Sequence, residues 1–62
     1  MRALARIVLV PGPIARLLRE AREHERAAEQ PGLHEALREA HLTVADGKRR
    51  AARRLIAEAT GR

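Results

Sequence analysis

Two proline–glycine interruptions divide this chain and limit what each piece can become. Pro11-Gly12-Pro13 and Gln30-Pro31-Gly32 leave a short N-terminal segment and two longer ones. Proline lacks the amide hydrogen that a sheet ladder or helix interior needs, and it pushes the preceding residue toward extended backbone. Each longer segment repeats apolar residues three and four apart, which is the period of a helix. Ile14, Leu17, Leu18, Ala21 and Ala28 form one stripe, after a Pro13 suited to the first turn of a helix. Leu33, Ala36, Leu37, Ala40 and Val44 form the next. Leu42 falls on the opposite side of that second helix, and its stripe does not account for it.

Sixty-two residues make one domain at most. Thirteen of them are Ala, which favours helix and lets helix backbones approach closely. Fifteen are large aliphatics, and Phe, Tyr and Trp are absent, so the residues that usually dominate a small core are missing. The absence of Cys excludes disulfides and thiolate metal sites. Chains of this size commonly gain stability from disulfides, a metal or oligomerisation. Association with a second copy or a partner chain is therefore the expected device.

Met1–Val10 is apolar almost all round, and Ile7-Val8-Leu9-Val10 is dense and β-branched. Residues 6–10 fit a strand or a helix, and a lone strand would have to pair with another chain. Arg2, Arg6 and the apolar run after them superficially suggest a secretory leader. The run is four residues long, against the roughly 7–15 that a leader's apolar region needs, and no A-x-A site follows. No stretch approaches the ~20 apolar residues of a membrane span. The expectation is a cytoplasmic protein without a membrane partner.

The expected fold is all-α: two or three short helices in a hairpin-like bundle, residues 13–62, preceded by an apolar N-terminal arm, residues 1–12. Thr43-Val44-Ala45-Asp46-Gly47 reads as an interruption, with Asp46 able to cap a following helix and Gly47 loosening the backbone. The third helix would then run from about Lys48 to Ala59, with Gly61 as its stop. The alternative is one continuous helix from Leu33 to Ala59. Ala36, Leu37, Ala40, a turn at Asp46-Gly47, then Ala51, Leu55 and Ala59 resemble the rhythm of a tetratricopeptide-like helical hairpin. The aromatic positions of that repeat are absent, and one unit fits where stable arrays need about three or more. Generic αα-hairpins share the rhythm, and no family follows from it.

Charge is distributed unevenly. Residues 1–47 hold seven Arg and seven acids, so the formal net charge of +5 belongs entirely to residues 48–62. At ~100° per residue, Arg49, Arg50, Arg53 and Arg54 share one arc of a helix, and Ala51, Ala52, Leu55, Ile56 and Ala59 the other. With Lys48, these Arg residues are the candidate binding site. Basic stretches of this length are common nucleic-acid footprints, and phosphate neutralisation makes such binding salt-dependent. Without aromatics to stack on unpaired bases, contact with a duplex backbone is the expected mode. The alternative is an adaptor or structural subunit whose basic helix docks on an acidic protein. A third reading is a solvated face whose Arg stems cover apolar surface. In the first helix, Arg16–Glu20, Arg19–Glu23, Arg22–Glu25 and Arg26–Glu29 are spaced for pairing along a solvated surface. Glu25 lies close to the apolar stripe and is expected to thin the helix contact there.

Catalytic chemistry finds little support. Ser and Cys are absent, Thr43 and Thr60 are the only hydroxyl residues, and the four Gly are scattered rather than gathered in a phosphate loop. No catalytic residue, metal ligand or cofactor is assigned. His34 and His41 are seven apart, not the i,i+4 of a helical metal pair, and the motif begun by His34-Glu35 meets Arg38 where a second His would stand. His24 follows Glu20 by four, which allows a carboxylate–imidazole pair. The three imidazoles are expected at solvent edges, with a pH-responsive interface as the functional alternative.

Overall fold

The structure, a computed structural model, describes residues 12–61. The apolar arm, with its choice of strand or helix at residues 6–10, lies outside the described residues apart from Gly12. That glycine opens the first helix rather than closing the arm. The described residues form two helices, α1 (Gly12–Ala28) and α2 (Glu35–Ala59), and no strand. Arg38 meets the carbonyl of Ala28 beside the turn, and Ile14 shares a hollow with Leu55 at the far end. The helices are therefore antiparallel and form a hairpin.

The turn lies where the sequence placed it. Leu33 donates to the carbonyl of Gln30 at 3.3 Å, and Gly32 takes φ +79°, a left-handed conformation that costs glycine no steric penalty. His34 caps α2. Its backbone is extended, and its Nδ1 accepts from the amide of Ala36 at 3.0 Å, satisfying one of the unpaired donors of the first turn. Gly61, at φ +76°, follows the other end. This hairpin is not the one suggested by the tetratricopeptide-like rhythm, because Asp46-Gly47 lies inside α2 and not at a turn.

The expected third helix and the interruption at residues 43–47 do not form. α2 runs unbroken for 25 residues, so the continuous alternative holds from Glu35 rather than Leu33. A single glycine inside a helix costs about 1 kcal/mol. The contacts on either side of Gly47 keep it helical. Ala45 and Ala52 bury in the same seam, and Lys48 and Arg49 bond to α1. All of them require one helical register.

The core is Ile14, Ala21 and Ala28 from α1 against Ala45 and Ala52 from α2. Within each helix these residues are seven apart, the period of a coiled-coil seam. Leu17, Leu18 and Leu55 are half-buried beside it. The second predicted stripe is displaced. Ala36, Leu37, Ala40 and Val44 do not enter the core, and Leu37 and Val44 are exposed. At 100° per residue, Leu37 and Val44 stand about 80–100° round the helix from Ala45. A separate short helix would have been free to turn them inward, but a continuous α2 has one inner face, and the alanines at 45 and 52 occupy it.

Gly47 lies mid-helix with nothing within 4 Å of where a Cβ would sit. Gly47→Ala is expected to stabilise the hairpin by about 0.5–1 kcal/mol, seen as a rise of roughly 2–8 °C in the melting midpoint by circular dichroism. An unchanged or lower midpoint would show that α2 is not continuous there.

Candidate nucleic-acid interface

The structure divides the candidate residues into two groups. Lys48 and Arg49 sit on the shoulders of the α2 seam, half-buried. Lys48 Nζ lies 3.0 Å from Glu20 Oε1. Arg49 holds Glu25 with two parallel bonds, Nε to Oε2 at 3.0 Å and Nη2 to Oε1 at 2.7 Å. Such a fork-to-fork pair fixes orientation as well as distance. Arg50 pairs along its own helix with Asp46 at 3.0 Å, and both are exposed. Arg53 and Arg54 are exposed and have no ionic partner among the described residues.

The single arc expected for Arg49, Arg50, Arg53 and Arg54 is therefore broken. Arg49 turns toward α1, and Arg50, Arg53 and Arg54 remain on an outer arc of about 100°. The expected apolar arc also divides: Ala52 is buried, Ala51 and Leu55 are half-buried, and Ile56 and Ala59 are exposed.

On α1, none of the four within-helix ion pairs expected from spacing closes among the described residues. Glu20 and Glu25 reach across to α2 instead. Glu25 was expected to thin the helix contact, yet it provides one of its anchors. Hydrogen bonding from Arg49 lowers the Glu25 pKa, aided by the charges of Arg49 and Arg22 and opposed by desolvation. Glu20 is lowered chiefly by its bond from Lys48, with partial desolvation opposing and the charges of Lys48, Arg16 and Arg19 adding. The Arg49 guanidinium is held more firmly protonated by Glu25 in turn.

Two of the three histidines depart from expectation, while His34 is exposed as expected. His24 and His41 face each other across the seam, half-buried, with Nδ1 atoms 2.9 Å apart and ring centroids 5.1 Å apart at a 39° tilt. His24 lies three residues after Ala21 and His41 four before Ala45, so each is one turn from a seam alanine. That spacing is the signal that would have found them. The Glu20–His24 pair does not form, because Glu20 is bonded to Lys48. Among the described residues there is no group of three or more His, Cys, Asp or Glu placed to hold a metal ion. No described helix is long and apolar enough to cross a membrane.

No family model, curated protein or solved structure matches this chain.

The lowered carboxylate pKa values link stability to pH. A depressed folded-state pKa contributes stability above the unfolded value and loses it as pH falls through the folded one. The contribution of Glu20 and Glu25 is thus complete above the ordinary glutamate value of 4.5 and disappears progressively below it. The double variant Glu20→Gln, Glu25→Gln is expected to melt lower than the parent at pH 7 and to lose less between pH 5 and pH 3. Equal losses in the two chains would show that these pairs do not hold the helices together.

Proposed function

We propose that the protein is a non-catalytic helical binding module that works by association. Its hairpin completes its core against a second copy, and the arc of Arg50, Arg53 and Arg54 meets the backbone of a nucleic-acid duplex. The observation that carries the reading is the imbalance of burial. Four of the five core residues are alanine, whereas Leu37, Leu42, Val44 and Ile56 stand 40–54% exposed. A buried methyl contributes roughly 0.8 kcal/mol and a buried Leu or Ile about 1.5–3 kcal/mol. The apolar energy still available on these four exposed side chains is therefore comparable to what the seam itself contributes. The hairpin is 12 Å through its thinnest dimension, about one helix thick, and among the described residues nothing covers its flanks. Leu37, Val44 and half-buried Leu55 line one flank of α2. A two-fold packing presents the same patch twice, so two hairpins laid flank to flank make a four-helix bundle.

The nucleic-acid contact is supported by Arg53 and Arg54, which have no acidic partner among the described residues. Arginine suits phosphate because its planar fork presents two donors to two oxygens. The adaptor reading, in which the same residues meet an acidic protein, draws support from Lys48 and Arg49, which already grip two glutamates of a neighbouring helix.

Solution mass and melting midpoint over a hundredfold dilution series, with and without nuclease, separate these readings. A nuclease-resistant dimer whose midpoint rises with concentration is expected. Leu37→Gln with Val44→Gln should make it monomeric, and a dimer unmoved by that change would place the interface elsewhere. Arg53→Gln with Arg54→Gln should leave the mass unchanged and reduce the log–log salt slope of duplex binding by roughly 0.9 for each phosphate no longer neutralised. If the parent chain binds no duplex, the adaptor reading replaces the nucleic-acid one.

A further inference from the structure

His24 and His41 form a neutral polar link between the helices, beside the ion pairs Lys48–Glu20 and Arg49–Glu25, and their chemistry limits how many protons the closed hairpin can hold. Their two Nδ1 atoms are 2.9 Å apart, so one donates to the lone pair of the other. A first added proton enters at the far nitrogen of the donor ring, and the contact survives as imidazolium to imidazole. A second must occupy the accepting Nδ1, where it removes the acceptor and sets two positive rings at 5.1 Å. With only two nitrogens converging and no third ligand in reach among the described residues, the site suits a shared proton better than a metal ion.

The neighbouring charges add to the cost of the second proton. On α2, Arg38 lies one turn before His41, its guanidinium bonded to the carbonyls of Ala28 and Leu33 and 3.5 Å from Glu35. Lys48 lies two turns after His41, paired with Glu20. On α1, Glu20 is one turn before His24 but committed to Lys48, Glu25 is committed to Arg49, and Glu23 is exposed. The nearby carboxylates Glu20 and Glu25 are thus already engaged by cations of α2.

We propose that the His24–His41 pair is an acid-sensitive latch: the closed hairpin accepts one proton at this pair, the open chain accepts two, and mild acid opens the seam. When the unfolded state binds more protons, stability rises with pH and falls on acidification. The measuring window is about pH 8 to about 5.5, where imidazole side chains in general change charge and glutamates do not. The latch lies in the seam between α1 and α2 and does not depend on what covers the outer flanks.

His34 must be separated from the latch, because protonating its Nδ1 would abolish the cap on Ala36. The full-length chain carrying His34→Asn keeps a capping side chain that does not titrate. Its thermal unfolding, followed by circular dichroism at fixed concentration and ionic strength, should show the folded-to-unfolded ratio falling by up to about tenfold per pH unit in the acid half of the window. Adding His24→Gln or His41→Gln should flatten that dependence. A parent that is flat from pH 8 to 5.5, or Gln variants that keep the same slope, would overturn the latch. If the Gln variants do not fold, proton NMR of the two rings in the parent decides. Loss of helicity together with the second protonation supports the latch, and both rings charging in an intact hairpin refutes it.

Discussion

Close approach of two alanine faces is the constraint from which the rest of this structure follows. Ala21 and Ala28 on α1 and Ala45 and Ala52 on α2 bury completely or nearly so, and no large side chain among the described residues is fully buried. Small residues let the helix backbones approach, which brings the shoulder positions of each seam within reach of the other helix. Glu20 and Lys48, Glu25 and Arg49, and His24 and His41 meet at those shoulders. Larger residues in the seam would separate the helices and leave these groups to solvent. The same closeness limits the core: an alanine seam buries little apolar surface, and Leu37, Leu42 and Val44 remain exposed.

Electrostatics here serves the fold first. The excess of positive charge is concentrated in residues 48–62. Its first two members are spent on glutamates of the same chain, and the third on Asp46 one turn back. Exposed ion pairs contribute little singly. Two half-buried pairs on opposite shoulders nevertheless fix the rotation of α2 about its axis, and that rotation decides which residues face outward. The outward set is Arg53 and Arg54 with Arg50, together with the aliphatic flank of Leu37 and Val44. The aliphatic flank and the arginine arc are thus different faces of one helix, and occupying one leaves the other open.

Helix content, the break at Gln30-Pro31-Gly32 and the inner face of α1 were legible because each depends on local chemistry. Pro31 and Gly32 punctuate the chain wherever they occur, and Ile14, Ala21 and Ala28 recur at a spacing that keeps one face. The inner face of α2 was not legible. Leu37 and Val44 are larger and more apolar than Ala45 and Ala52, so a stripe drawn by hydrophobicity passes through the wrong residues. The apparent break at Asp46-Gly47 concealed the seven-residue interval that joins Ala45 to Ala52. Partner choice for the charges was equally hidden, because Glu20 and Glu25 have Arg neighbours at suitable spacings on their own helix.

Sequence alone determined that this is a helical chain with one firm turn, no thiol chemistry and a basic C-terminal end. Those properties reside in composition and in intervals of three and four residues. Only the tertiary structure decided that α2 is continuous, which of its faces turns inward, and which cations remain available. The physical reason is that this helix contact is settled by shape before hydrophobicity. The faces that approach most closely win the interior, and every longer side chain is then assigned to a shoulder or a flank by its angle from that seam.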